Sequence, residues 1–274
     1  MRFGIIGDPV AGSLSPQIFK AAYNGKYAYD LIEGADFDLS WKKFEDSYHG
    51  INVTAPFKEM AFARADILSE EVRMTGAANL IVKTEKGTEA HNTDFNGIIL
   101  CCTETLGASE DGIADLYPDR PRALIVGCGG AGRAATAAAK KMGYSVSLMN
   151  RTIAKAEAIA SSLPGEDFTV EPIENFREAL RRSDLVIYTV PTAIGELDGL
   201  SAEDFAEKSG RPPKLLLEAN YKTPAFPGKL SGMPRLPGCR YISGKLWLLY
   251  QAVAGYDIFT GESPDFEAMR NILF

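Results

Sequence analysis

The sequence ALIVGCGGAGRAATAAAKKM, residues 123–142, joins a short apolar run to a glycine-rich turn and an alanine-rich segment. The run at 123–126 predicts a buried strand, and the segment 132–142 predicts a helix. The turn between them fits the spacing G-x-G-x-x-G, through Gly127, Gly129 and Gly132. In this context such glycines allow a tight turn, let the backbone approach a pyrophosphate, and let helix and strand pack closely. The stretch therefore predicts a dinucleotide-binding unit, the alternative being an ordinary glycine-rich turn.

The phosphates of a bound dinucleotide would face the positive end of the helix that follows the turn. The candidate phosphate-binding residues are Gly127, Cys128, Gly129, Gly130 and Ala131.

The next strand, predicted at 145–149, ends at Asn150-Arg151-Thr152, and Lys155 follows within one helical turn. An NAD site usually carries Asp or Glu at this place, where the carboxylate accepts a hydrogen bond from the ribose 2′-hydroxyl. A carboxylate would repel the 2′-phosphate of NADP, whereas the guanidinium fork of Arg151 matches it. The segment therefore favours NADP over NAD, although Arg151 taken alone could simply begin a solvated helix.

Strands and helices alternate along the rest of the chain. In the first 100 residues we predict strands at 3–6, 27–32, 50–54, 79–84 and 88–92, and helices at 15–24, 40–48 with Ser40 as cap, 57–72 and 96–106. Beyond them we predict strands at 123–126, 145–149, 185–190 and 215–217, and helices at 132–142, 152–163, about 245–258 and the end of the chain. This alternation implies parallel pairing, with one antiparallel hairpin around Glu85-Lys86-Gly87. Residues 107–121, rich in Gly, Asp, Pro and Ser, predict an exposed connection.

These patterns predict a two-domain α/β fold, in which an N-terminal α/β catalytic domain with a mainly parallel sheet accompanies a Rossmann-type NADP-binding domain. We expect the first domain to comprise residues 1–100 plus 245–274, and the second to comprise residues 101–244. The length of 274 residues suits two domains. With 46% hydrophobic and 24% charged residues, the composition excludes a disordered chain, a coiled coil and a collagen-like fibre.

The charge and the cysteines exclude further classes of protein. Lys and Arg number 29 against 36 Asp and Glu, a net charge of −7, so the chain has no overall attraction for nucleic acid or anionic membranes. The four cysteines form no CxxC pair and have no His-rich cluster beside them, so we expect no metal site. Since no run of about 18 apolar residues occurs and MRFGIIGDP is unlike a signal peptide, we expect a cytoplasmic protein with reduced thiols.

Polar residues collect where the predicted strands of the first domain end. Ser13, Ser15, Thr54 and Lys58 follow strands, Asn79 opens the hairpin, and Asn92-Thr93-Asp94 closes it. Ligands of open α/β sheets bind beyond the carboxyl ends of the strands. The hydroxyl, ammonium, amide and carboxylate groups suit a small, polyhydroxylated, anionic molecule. Each residue also has a local alternative, since Ser15 and Asp94 could cap helices and the asparagines could satisfy turn backbone.

The order and spacing of these residues resemble the shikimate dehydrogenase family. The matching motifs are G-x-P-x-x-x-S-x-S-P at 7–16, N-V-T-x-P-x-K at 52–58, G-A-x-N at 76–79 and N-T-D at 92–94. The glycine turn with Asn150-Arg151-Thr152 is similar to the family's cofactor signature, and Tyr221 and the stretch 244–251 also fit. The resemblance extends over nearly the whole chain, although Gly12 and Leu80 stand where His and Thr are common in the family.

The resemblance implies NADP-linked interconversion of 3-dehydroshikimate and shikimate in aromatic amino-acid biosynthesis, in a cleft between the two domains. It implies that Lys58 and Asp94 form the catalytic pair and that Ser13 and Ser15 bind the substrate carboxylate. It assigns the substrate's ring hydroxyls to Thr54, Asn79, Asp94 and Gln251. It places Tyr221 beside the substrate, and Ala219 and Gly244 close to the nicotinamide.

The chemistry of Lys58 agrees with this assignment, since an ammonium group can stabilise the oxygen of a ketone under reduction and donate its proton. Two other functions stay open at this point: a quinate/shikimate dehydrogenase with broader substrate or NAD use, and a nucleotide-binding regulator without turnover. The expected partner is a small molecule, and the sequence leaves a homodimer open.

Overall fold

The computed structural model describes residues 1–163, 168–231, 236 and 238–274. The chain divides into two compact units, Met1–Gly97 with Leu248–Phe274, and Ile98–Trp247. Each unit is built on a mixed or parallel sheet with helices packed on it, which confirms the predicted α/β class. Within the described residues, no helix is both long and apolar enough to cross a membrane.

The first unit contains a mixed sheet. Its strands are β1 (Arg2–Gly7), β2 (Ala28–Glu33), β3 (Gly50–Val53), β4 (Ile67–Leu68), β5 (Leu80–Thr84) and β6 (Gly87–His91). The helices along this part of the chain are α1 (Ser15–Ala22), α2 (Phe37–Ser47), α3 (Lys58–Arg64), α4 (Glu70–Thr75) and α5 (Thr93–Leu106). The strand order is β2-β1-β3-β5-β6-β4, with β5 antiparallel to both of its neighbours and the other pairs parallel. The predicted hairpin is therefore present inside a mainly parallel sheet.

The second unit contains a parallel sheet. Its strands are β7 (Arg122–Val126), β8 (Ser145–Met149), β9 (Phe168–Glu171), β10 (Leu185–Tyr188), β11 (Lys214–Glu218) and β12 (Cys239–Ser243). The helices from here to the end of the chain are α6 (Gly130–Lys141), α7 (Ile153–Ser162), α8 (Phe176–Arg182), α9 (Phe226–Ser231), α10 (Gly244–Thr260) and α11 (Phe266–Leu273). The order β12-β11-β10-β7-β8-β9 is that of the doubly wound nucleotide-binding fold, which confirms the predicted Rossmann type. The order reverses between β7 and β10, so the carboxyl ends of these strands mark the expected ligand crevice.

Each sheet has its own hydrophobic core. In the first unit, Trp41 and Phe44 of α2 pack with Ile51 and Val53 of β3. In the second, Leu124 of β7 belongs to a buried cluster with residues of α8, β10 and β11. Buried apolar side chains on these strands hold the strand ends in fixed positions. The polar residues that follow the strands are therefore also held in defined positions.

Two predicted helices in the first unit were wrong in detail. Helix α2 begins at Phe37 rather than at residue 40, because the Asp36 carboxylate accepts a hydrogen bond from Leu39 N at 3.0 Å and caps the helix. Ser40 instead lies inside α2 and donates to the Asp36 carbonyl. The helix predicted over 57–72 is broken into α3, β4 and α4. Around the break, Asp66 and Thr88 exchange hydrogen bonds, which draw the chain onto the edge of the sheet beside β6.

Other differences fall on short or peripheral elements. Strands β9 and β12 and helices α8 and α9 were not predicted, and both strands lie at the edges of their sheet. The connection over 107–121 is only partly exposed. Ile113 and Tyr117 are buried, and the Tyr117 ring packs edge-on against Tyr144. Composition identified this segment as irregular but could not show that two of its apolar side chains enter the core.

A buried carboxylate, that of Asp204, joins α8 to a one-turn helix later in the chain, Ala202–Phe205. Asp204 accepts hydrogen bonds from Arg177 Nε at 2.8 Å, Arg181 Nε at 2.6 Å and Ser201 N at 2.7 Å. Burial of the Asp204 carboxyl raises its pKa, but the hydrogen bonds from Arg177, Ser201 and Arg181 outweigh that effect and lower the pKa to about 2. Because the folded-state pKa lies below the ordinary 3.8, this carboxylate stabilises the fold above about pH 4. That contribution is lost as the pH falls towards about 2.

We therefore expect Asp204→Asn to lower the free energy of unfolding by about 1–2 kcal/mol near neutral pH, since both arginines are half-exposed and partly screened. Urea unfolding followed by circular dichroism should show the difference from wild type shrinking below about pH 4. The matched control is Asp198→Asn, which removes an exposed carboxylate paired with Lys229 and should change little. A difference that stays constant across this pH range would contradict the interpretation.

Candidate active site

The ammonium group of Lys58 and the carboxylate of Asp94 form an ion pair in the first unit. Lys58 Nζ donates to Asp94 Oδ2, and the two side chains are 13% and 12% exposed. Lys58 is the first residue of α3, and its carbonyl accepts from Ala78 N at 2.9 Å, which fixes it to the turn before β5. Asp94 lies in the first turn of α5, where the helix dipole favours a negative charge. The structure thus brings the two expected catalytic side chains into direct contact, in a setting where little water weakens their attraction.

A network of amide and hydroxyl groups lies at the start of β5 and α5. Asn79 Nδ2 donates to Thr93 Oγ1 at 3.0 Å and to Gln251 Oε1 at 3.3 Å, and Thr93 N donates to Asn79 Oδ1 at 2.8 Å. Gln251 comes from α10, far along the chain, and the structure joins it directly to Asn79. Thr93 was not predicted as a site residue, although it is the middle residue of the quoted N-T-D motif. These contacts fix the amides of Asn79 and Gln251 in defined orientations.

The two serines of the first loop also lie together. Ser13 Oγ donates to Ser15 Oγ at 3.1 Å and accepts from Ser15 N at 3.2 Å. Ser15 does not cap α1 with its side chain, because the residue at the cap is Leu14 and that end has no side-chain cap. Thr54, half-buried, follows β3 and is anchored through its backbone N to the Ile6 carbonyl at 2.9 Å. Hydroxyl groups therefore gather where β1 and β3 end.

The buried Asn92 has a structural role, which matches the local alternative for this residue. Its amide donates to Thr75 Oγ1 and to the Ala77 carbonyl, and its Oδ1 accepts from Phe95 N. Asn92 therefore holds the turn that carries the G-A-x-N motif against the start of α5.

The glycine turn after β7 has the shape that a pyrophosphate requires. Gly127 has φ +99°, and a Cβ added at Gly132 would overlap the Gly127 carbonyl oxygen. At Gly129 an added Cβ would meet no described atom within 4 Å. Helix α6 begins at Gly130, next to Ala131, and the first N–H groups of a helix lack partners within it. The turn is therefore closed on its protein side and open at Gly129 beside the amino end of α6, which fits a phosphate group.

The residues after β8 divide into a positioning group and an exposed cationic pair. Asn150 Oδ1 accepts from Cys128 N at 3.2 Å, and Asn150 Nδ2 donates to the Thr152 carbonyl at 2.9 Å. Asn150 thus ties the glycine turn to the start of α7. Arg151 and Lys155 are exposed, so their positive charges are accessible to a ligand phosphate.

The loop after β11 is held from both sides. Glu218, fully buried, accepts from Phe226 N at 3.2 Å and from Tyr241 Oη at 2.9 Å, and Asn220 Nδ2 donates to the Pro191 carbonyl at 2.6 Å. An added Cβ at Gly244 would overlap the Ala219 carbonyl oxygen, so the structure brings these two expected nicotinamide neighbours together. Tyr221 follows on the same loop and is half-buried. The sequence analysis did not identify Glu218 or Asn220 as residues that hold this loop. A carboxylate at the end of an apolar strand was a signal for Glu218.

Two family models match the chain over separate segments. The model described as the shikimate dehydrogenase substrate binding domain matches residues 5–81, which include Ser13, Ser15, Thr54, Lys58 and Asn79. The model described as shikimate / quinate 5-dehydrogenase matches residues 115–200, which include the glycine turn and Arg151.

The chain is also similar over its full length to a curated relative. It is 32% identical to shikimate dehydrogenase (NADP(+)) of Rubrobacter xylanophilus, over 98% of this chain and 94% of that protein. The chain belongs to the shikimate dehydrogenase family. Among solved members of the family, shikimate 5-dehydrogenase of Thermus thermophilus in complex with NADP(H) and shikimate is 26% identical, with a TM-score of 0.77 over 100% of this chain and 98% of that one. The shikimate dehydrogenase of Mycobacterium tuberculosis is 27% identical, with a TM-score of 0.75 over 99% and 98%.

Two glycine substitutions separate the fold of the turn from its use as a phosphate site. We expect Gly129→Ala to leave the unfolding midpoint unchanged, because its Cβ enters open space, and to raise the KM for NADP by about tenfold or more. Gly132→Ala forces helix and turn apart and should destabilise the protein by about 1–3 kcal/mol. Thermal unfolding and steady-state kinetics measure both effects. An unchanged KM for NADP in Gly129→Ala would contradict phosphate binding at this turn.

Proposed function

We propose that the chain catalyses the reaction of the shikimate dehydrogenase family, the NADP-linked interconversion of 3-dehydroshikimate and shikimate in aromatic amino-acid biosynthesis. The observation that carries the proposal is the Lys58–Asp94 ion pair at the polar edge of the first sheet. The 32% identity to a shikimate dehydrogenase (NADP(+)), which extends over 98% of this chain, supports both the reaction and the cofactor.

The substrate is an anion with several hydroxyl groups, and the first unit offers partners for each kind of group. We assign its carboxylate to the hydroxyls of Ser13 and Ser15. The ring hydroxyls are assigned to Thr54, Asn79, Asp94 and Gln251. This division is supported by the two clusters in the structure, the hydroxyls after β1 and the amides held by Thr93. We also assign Tyr221 to the substrate.

The second unit holds the cofactor. The backbone of Gly127–Ala131 would bind the pyrophosphate, with Thr152 and the cations Arg151 and Lys155 at the 2′-phosphate and Asn150 holding the segment in place. Ala219 and Gly244 would lie by the nicotinamide ring. When bound, NADPH supplies the hydride that the side chains of this protein cannot.

Lys58 supplies the proton and the positive charge in the reduction. As the ketone oxygen gains negative charge, the Lys58 ammonium stabilises it and transfers a proton from Nζ. Asp94 holds that ammonium in place through Oδ2 before the transfer. In the oxidation direction, neutral Lys58 accepts the proton of the substrate hydroxyl, and the same carboxylate stabilises the ammonium that results.

Quinate is a second candidate substrate, because the family model over residues 115–200 is described as shikimate / quinate 5-dehydrogenase. Absorbance of reduced cofactor decides between the candidates when shikimate, quinate and no substrate are each tested with NADP and with NAD. Turnover of shikimate with NADP is the expected result. A protein without turnover of either substrate would be the nucleotide-binding regulator instead.

The homodimer and the cytoplasmic location stay predictions. Sedimentation equilibrium of the purified chain tests the first, and fractionation of the source cells tests the second.

The choice of cofactor depends on Arg151. We expect Arg151→Ala to weaken NADP binding by about 10- to 150-fold, the value of a charge-assisted hydrogen bond of about 1.5–3 kcal/mol, and to leave NAD binding nearly unchanged. The NADP affinity of Arg151→Lys should lie between those of the wild type and Arg151→Ala, because lysine keeps the charge and loses the planar fork. Isothermal titration with both cofactors measures the effect, and Arg270→Ala, a half-exposed arginine of the C-terminal helix, is the control. Equal losses for NADP and NAD would rule out the assignment.

The catalytic pair is tested by kcat. Lys58→Ala should lower kcat by about 10²- to 10⁴-fold and raise the KM for shikimate only modestly, because the ammonium acts most strongly when the oxygen is charged. Asp94→Asn should also lower kcat, and the double variant should be much less than multiplicatively worse, because the two residues act as a unit.

The control for the catalytic pair is Arg64→Ala. Arg64 lies on α3, the helix that begins at Lys58, and forms an exposed ion pair with Asp38 of α2. Loss of this pair should leave kcat unchanged. Near-normal kcat with a raised KM in Lys58→Ala would make Lys58 a substrate-binding residue rather than the proton donor.

A further inference from the structure

Tyr29 reaches from an edge strand across its neighbour to the centre of the first sheet. It is the second residue of β2, and in the parallel register it pairs with Phe3 of β1, which pairs in turn with Gly50 of β3. Adjacent strands lie about 4.8 Å apart, so a side chain must span two strand spacings to touch β3 from β2. The Tyr29 ring does so while packed on Phe19 of α1, with ring centroids 4.8 Å apart.

The hydroxyl at the end of this ring meets the polar groups of two different segments. Tyr29 Oη donates to Asn52 Oδ1 at 2.7 Å, near the end of β3. The same ring packs on α1, the helix that begins at Ser15, and the Ser15 side chain acts on the Tyr29 hydroxyl to lower its pKa against the larger effect of burial. Burial raises the pKa of Tyr29 well above its ordinary value, so the hydroxyl keeps its proton and remains a donor.

The bond from Tyr29 also determines the orientation of the Asn52 amide. With Oδ1 occupied by a donor, the amide nitrogen turns the other way and donates to the Asn79 carbonyl at 3.2 Å. Asn52 is 8% exposed, so an unmatched amide there would be costly. Hydrogen bonds therefore join Tyr29 through Asn52 to Asn79, and the Ser13–Ser15 pair begins the helix on which the Tyr29 ring packs.

We propose that Tyr29 is a positioning residue for the substrate: its hydroxyl fixes Ser15, at the carboxylate-binding end, relative to Asn79, at the hydroxyl-binding end. The proposal rests on the substrate assignment made under Proposed function. Tyr29 acts through Ser15 and Asn52, and the proton of the reaction moves at Lys58. Its contribution is to hold two segments, which belong to different elements, at the separation that one small rigid ring requires.

The test is Tyr29→Phe, which removes one oxygen and keeps the ring packed on Phe19. We expect the KM for shikimate to rise about three- to tenfold, the range for a neutral hydrogen bond, with kcat and the KM for NADP changed by less than about twofold. A merely structural role would lower the unfolding midpoint without this selective change in one KM.

Tyr23→Phe is the matched control. Tyr23 packs on the same Phe19, with ring centroids 5.1 Å apart, but its hydroxyl donates to the Tyr256 carbonyl at 2.7 Å instead of to the site. The variant loses a buried hydroxyl that also contacts the Glu262 carbonyl and Thr260 Oγ1, so it should lower the unfolding midpoint at least as much as Tyr29→Phe and leave the KM for shikimate unchanged.

A double-mutant cycle tests the route through Ser15. If Tyr29 acts through Ser15, Tyr29→Phe should raise the KM for shikimate less in a Ser15→Ala background than in the wild type. An unchanged KM in Tyr29→Phe, equal increases in Tyr29→Phe and Tyr23→Phe, or full additivity with Ser15→Ala would each overturn the positioning role while wild-type turnover of shikimate stands. Absence of that turnover in the wild-type protein would overturn the proposed function itself, and the positioning role with it.

Discussion

The ion pair between Lys58 and Asp94 is the interaction on which the substrate-binding end of the first sheet depends. Both side chains are largely withdrawn from water, so either charge left alone would be strongly destabilising. The surrounding structure meets that constraint with two short connections. Residues 54–57 connect β3 to α3, which begins at Lys58, and a single residue connects β6 to α5, which begins one residue before Asp94. The position of Lys58, the proposed proton donor, is therefore determined by where two strands end and two helices start.

The neutral groups around that pair are ordered by one another. The amide of Asn79 donates hydrogen bonds to Thr93 and Gln251. Asn52 accepts a hydrogen bond from Tyr29 and donates one to the Asn79 carbonyl. In such a network each amide has one favourable orientation, because reversing it would face donor with donor. A site built in this way can distinguish the positions of hydroxyl groups on a small ring, since its own groups do not readily rotate to accommodate another arrangement.

The sequence predicted correctly those structural features that depend only on residues adjacent in the chain. The glycine turn needed only its own spacing and the apolar run before it, and the structure places the turn between β7 and α6 as expected. The helix over 57–72 was wrong because its break depends on Thr88, a residue on another strand that bonds to Asp66. Strands β9 and β12 were missed because each lies at a sheet edge, where few buried residues mark the pattern.

The sequence by itself determined the α/β class, the nucleotide-binding turn, the cationic segment after β8 and the identity of the polar residues at the strand ends, since motif spacing and periodicity carry these. Tertiary structure decided which of those residues touch. Lys58 meets Asp94 across 36 positions and Asn79 meets Gln251 across 172, and the Tyr29 contact with Asn52 depends on the order and register of three strands. The physical reason is that hydrogen bonds and ion pairs act over a few ångströms, and the folding of the sheet sets which side chains come that close.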